Sequence, residues 1–79
     1  MTASERKLDA LTNKASRAYA EINKGMASAM KHMKEERFFQ ANVSFELATA
    51  ASHLLVNLIK EIQKTAREVE AEHRGFRRL

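Results

Sequence analysis

Few residues in this chain have the types and spacing that chemistry needs. Glu70-x-x-His73 sets a carboxylate and an imidazole one helical turn apart, which is half of a carboxylate-bridged di-metal site in a helical bundle. Such a site needs a second copy of the motif, which a symmetric dimer could supply, and further glutamates facing inward. His32, His53 and His73 are far apart in the sequence and make no chelating cluster. The chain has no Cys, so it offers neither a thiolate ligand nor a disulfide. No nucleophile motif, glycine-rich phosphate loop or paired-histidine motif is present. These observations point away from catalysis, with no metal and no cofactor expected, and His53 reads as a hydrogen-bonding group at a surface or interface.

Charge is the next resource. Fourteen Lys and Arg against ten Asp and Glu give a net charge of +4, and the pI is near 9.8. Lys14, Arg17, Lys24 and Lys31 recur along one side of the N-terminal half, and Arg74, Arg77 and Arg78 add a basic C-terminal end. An acidic protein surface or a nucleic acid could use that edge. The acidic residues interleave with the basic ones, and there is no aromatic platform for bases and no recognisable DNA-reading motif. Nucleic acid is therefore the alternative partner, behind another protein.

The elements that would position these groups are helices. The chain of 79 residues has no Pro and only Gly25 and Gly75 as breakers, and it is rich in good helix formers. Residues 1–79 are expected to form one all-α domain, a long antiparallel helical hairpin with helices over about 4–34 and 37–73. Thr2-Ala3-Ser4-Glu5 fits a capping box. Leu8, Leu11, Ala15, Ala18, Ile22, Gly25 and Ala29 then make one apolar stripe, continued on a rotated line by Met26, Met30 and Met33. The stripe passes Gly25 without a slip, which favours a continuous helix and gives the glycine the role of admitting a close neighbour. The charged run Lys34-Glu35-Glu36-Arg37 is the expected turn. The alternatives are a turn at 23–25 and a single unbroken rod.

The second helix carries the strongest pattern. Phe38, Ala41, Phe45, Ala48, Ser52, Leu55, Ile59, Ile62, Ala66 and Val69 hold three-four spacing, and Phe39, Val43, Leu47, Ala50, Leu54 and Leu58 form a second apolar line. At about 100° per residue the apolar arc over residues 38–59 spans roughly 200°, about twice what a surface helix needs. One hairpin partner cannot cover it. So a small chain without disulfides is expected to complete a bundle, either as a homo-oligomer (a dimer) or in a hetero-complex with another helical protein. Phe39, Val43, Leu47, Ala50, Leu54 and Leu58 are the expected interface. Met26, Met30 and Met33 read first as core facing Phe38, Phe39 and Val43 across the turn, and second as an adaptable rim of that interface. Residues 60–79 read as a charged helical extension that stops at Gly75 and ends in a basic tail.

Residues 38–59 carry one formal charge, Glu46, but too many polar side chains for a membrane span, and no secretory signal is visible. A cytoplasmic location is expected.

Two family resemblances follow from these residues. Phe38-x-x-Ala41-x-x-x-Phe45-x-x-Ala48, with Ala29 before it, resembles the helix pair of a tetratricopeptide repeat over about half the chain. The whole layout is similar to the small helical-hairpin co-chaperones of type III secretion needle subunits. The shared features are length, absence of Cys, a charged turn, and the aromatic pair in Arg37-Phe38-Phe39-Gln40 before the Ala/Leu-rich run Ala48 to Leu58. The basic charge, a turn without Gly and the long charged extension depart from that pattern. The resemblance implies a cytoplasmic protein that joins a repeat-containing chaperone to keep a needle subunit unpolymerised. From the residues themselves the expected function is a non-enzymatic adaptor or chaperone that buries a partner's amphipathic helix. The alternatives are a basic self-associating bundle acting on nucleic acid, as small phage or plasmid regulators do, and a filament subunit whose partner is itself.

Overall fold

The computed structural model describes the backbone of residues 2–77 and the side chains of residues 2–74. It is an antiparallel helical hairpin of α1 (Ala3–Lys34) and α2 (Phe38–Arg77), with extents of 65 × 16 × 14 Å. Helix α1 begins where the capping box places it. The Thr2 hydroxyl accepts the Glu5 N–H at 3.1 Å, and the Glu5 carboxylate accepts the Thr2 N–H at 3.5 Å, so two N-terminal donors are satisfied. Gly25 does not interrupt it.

The turn falls at Glu35–Arg37, and its chemistry was not visible in the composition. Glu36 adopts φ 60°, the left-handed conformation usually taken by glycine at this position. The Arg37 N–H donates to the His32 carbonyl at 2.8 Å and the Glu36 N–H to the Met33 carbonyl at 3.1 Å. Together these are the paired bonds of a Schellman motif, built on glutamate. The Arg37 carbonyl then accepts the Ala41 N–H at 3.0 Å and opens α2. Arg37 also pairs with Glu35. Helix α2 runs through Gly75 to Arg77, so the expected stop at Gly75 does not occur.

Buried and half-buried side chains mark the seam. On α1 they recur at 4, 8, 11, 15, 18, 22, 25, 29 and 32, with 5 and 28 half-buried beside them, and on α2 at 41, 44, 48, 51, 55, 58, 62, 65 and 69, with 52 half-buried beside them. Both series alternate threes and fours, the 3.5-residue repeat of a coiled coil. The seam is made of small residues near the turn and larger ones at the open end. Around Gly25 the helices approach closely, since a Cβ added there would stand 3.1 Å from the Ser44 carbonyl oxygen. The Ser28 and Ser44 hydroxyls bond across the seam at 3.1 Å. Farther out, the antiparallel register sets Ala15 and Ala18 opposite Leu58 and Leu55, so bulk on one helix meets its absence on the other.

The phase of α2 differs from the expected stripe. Ala41, Ala48, Leu55, Ile62 and Val69 do face α1, but Ser44, Leu58 and Thr65 complete the seam in place of Phe45, Ile59 and Ala66, and Ala51 joins a half-buried Ser52. The backbones approach too closely for a phenyl ring between them, and Phe45 is left 52% exposed. Leu58, expected at a partner interface, is instead buried at 9% exposure within the hairpin.

Candidate partner-binding faces

A two-helix seam shields one narrow stripe per helix, and large apolar side chains remain outside it. Among the described residues, twelve large hydrophobics are exposed. Eleven of them divide between the two flanks of the seam, and Phe39 stands apart from both.

The first flank is apolar on both helices. Met26, Met30 and Met33 of α1 and Phe38 and Phe45 of α2 line an open groove whose floor includes Ala29 and Ala41, with Asn42 at its edge. These five large side chains are 44–63% exposed. The heptad positions of Tyr19, Val56 and Ile59, 45–59% exposed, place them farther along the same flank. The sequence left the methionines either as core across the turn or as an adaptable rim. They lie outside the seam, beside Phe38 and Phe45.

The second flank is apolar on α2 alone. Val43, Leu47 and Leu54 are 41%, 66% and 54% exposed, and Ala50 is exposed with them. Across the seam α1 presents Glu21, Lys24, Gly25 and Ser28, which share a shallow pocket with Ser44 and Leu47. Arg17 and Lys31 stand one heptad before and after Lys24 on the same line, and Lys14 is on the neighbouring line, all exposed. Val43, Leu47, Ala50 and Leu54 are thus bordered by Arg17, Lys24 and Lys31, with Glu21 among them. Phe39, 78% exposed, sits on the outer side of α2 away from the seam. The methionines and the Val43–Leu54 line, expected as the rim and centre of one surface, therefore occupy opposite flanks.

The open end is polar. The Ser4 hydroxyl donates to the Glu72 carboxylate at 2.6 Å, and His73 Nε2 lies 3.6 Å from the Glu5 carboxylate. The Thr2 backbone N–H holds the Glu5 carboxyl below its ordinary value; desolvation opposes it as the next largest effect, and the Thr2 hydroxyl and His73 add smaller lowering contributions. Arg74 pairs with Glu70 one turn away. The two members of Glu70-x-x-His73 are thereby engaged with different neighbours, and among the described residues no three of His, Asp and Glu gather as a metal site would require. Arg78 lies outside the described residues, as does the side chain of Arg77. Among the described residues, no helix is long and apolar enough to cross a membrane.

No protein-family model matches this chain, no curated protein matches it, and no solved structure matches it.

Proposed function

We propose that this hairpin is a non-enzymatic helix-binding module, an adaptor or co-chaperone, and that its second flank receives an amphipathic helix with an acidic border. One observation carries the reading. An exposed row of Val43, Leu47, Ala50 and Leu54 runs beside Arg17, Lys24 and Lys31. The apolar row supplies the area whose removal from water drives association, about 25 cal/mol per Å2 before the costs of binding. The cations select the partner's charge and speed its encounter. A helix laid along Leu47 and Leu54 would offer its own leucines at three-four spacing and set its carboxylates against Lys24 and Lys31.

The test uses two synthetic amphipathic peptides with the same leucine face, one bordered by Glu and one by Lys. The full chain should bind the Glu-bordered peptide in preference, and Leu54→Glu should abolish binding. Absence of binding, or preference for the Lys-bordered peptide, would overturn the reading. Retention on heparin with steep salt dependence and no peptide binding would instead favour a nucleic-acid partner for Lys14, Arg17, Lys24 and Lys31.

A further inference from the structure

The first flank differs from the second in being apolar on both helices, and that difference identifies its occupant. We infer that the methionine–phenylalanine groove is covered by a second copy of this chain, which makes a four-helix bundle from two hairpins.

Three observations support a twin over a single foreign helix. The first is width. The apolar groups occupy the line next to the seam, with Met26, Met33, Phe38 and Phe45, and reach the next line outward at Met30 and Val56, which stand there among Asn23, Asn42 and Thr49. One helix about 10 Å across, seated in the groove, would leave the outer line in water. A face as wide as the hairpin itself, whose cross-section is 16 × 14 Å, covers both lines on both helices.

The second is area. The chain exposes 6353 Å2. A compact monomer of 9.0 kDa exposes about 4,900 Å2 on the usual scaling. That excess belongs to the whole 65 × 16 × 14 Å rod, and it is larger than the roughly 800 Å2 that each member of a stable pair commits to its interface. The apolar part of the flank runs from the turn to Ile59, roughly 30 Å at about 1.5 Å per residue, which is long enough to form a bundle core.

The third is self-complementarity. A two-fold axis along the hairpin sets α1 of one copy against α2 of the other. Thioethers of Met26, Met30 and Met33 then meet the rings of Phe38 and Phe45, and sulfur–aromatic contacts are favourable. Flexible side chains on one helix adapt to stiff ones on the other. Toward the open end the flank becomes polar at Glu5, Asp9, Glu70 and His73, so the apolar contact has a defined length and cannot extend into an open array.

The experiment is the mass of the full chain in solution by light scattering or sedimentation equilibrium, with helicity followed by circular dichroism. The expected mass is twice 9.0 kDa. Met30→Glu and Phe45→Glu each place two carboxylates in the symmetric interface and should raise the dimer dissociation constant by about 100-fold or more. Both positions are at least half exposed in the single hairpin, so helicity should survive in the monomer. Leu54→Glu, on the other flank, should leave the dimer intact while removing the acidic peptide, which separates this inference from the proposed function. A monomeric wild type would overturn it. So would a dimer indifferent to both Met30→Glu and Phe45→Glu, or one broken by Leu54→Glu.

Discussion

A Cβ added at Gly25 would stand 3.0 Å from the Cβ of Ala48, closer than side chains normally pack. The helices meet here with nothing between them but two backbones and a methyl group. Gly25→Ala would gain about 1 kcal/mol of helix propensity. It would also press on Ala48 and on the Ser44 carbonyl oxygen, neither of which can rotate away. Overpacking of this kind costs about 1–3 kcal/mol, so the variant should be less stable by about 1 kcal/mol in denaturant unfolding followed by circular dichroism. Gly25→Ala with Ala48→Gly should recover part of the loss, and strictly additive effects would show that the two positions do not press on each other.

Glu36 holds a left-handed conformation that costs a residue with a Cβ roughly 1–2 kcal/mol. Glu36→Gly removes that strain but loosens the unfolded chain, for a net gain of about 0.5–1 kcal/mol. The unfolding midpoint should rise without a change in slope. A lower midpoint would show that the glutamate side chain contributes more to the turn than its backbone strain costs.

Thr65 is fully buried, and its hydroxyl has no hydrogen-bond partner among the described residues. Valine has nearly the same shape without the oxygen. Thr65→Val should stabilise the hairpin by about 1 kcal/mol, and an unchanged midpoint would mean that the hydroxyl is satisfied in solution.

Leu58 and Leu54 are one turn apart on α2 but face different surroundings. Leu58→Ala opens a cavity in the seam and should cost about 2–3 kcal/mol, whereas Leu54→Ala, on an exposed flank, should cost within about 0.5 kcal/mol. Equal losses at the two positions would mean that α2 is rotated relative to the seam described above.

Acid should loosen the open end. The Glu5 carboxyl is held below 4.5, chiefly by the Thr2 N–H and then by the Thr2 hydroxyl and His73. A group whose folded value is depressed contributes stability that is fully present above its unfolded value and is lost as pH falls through the folded one. Stability should therefore decline as pH drops below 4.5, and Glu5→Gln should remove part of that decline. Amide exchange at residues 3–8 reports it locally. An acid profile identical in wild type and Glu5→Gln would show that the capping box is independent of the charge.

The sequence determined the elements on its own. Thr2 and Glu5 specify the start of α1 through a local, four-residue interaction, and the three-four recurrence of Leu8 through Ala29 specifies both a helix and its inner face. The passage through Gly25 was legible for the same reason, because the stripe keeps its phase there. The position of the turn was legible as a gap between apolar runs. Its means was not, because a left-handed Glu36 depends on bonds to His32 and Met33 that composition does not reveal. The candidate faces were only half legible. The arc on α2 is so wide that several phases satisfy the same periodicity, and only packing against α1 selects one. Close approach at Gly25 and Ala48 fixed that choice, turning small residues inward and leaving Phe38 and Phe45 outside. It also drew Leu58 into the seam and separated the methionines from Leu47 and Leu54 by the thickness of the hairpin. Local propensity and spacing decide which residues are helical. Which side of a broadly apolar helix meets its neighbour depends on how near two backbones can come, and that distance exists only in the folded chain.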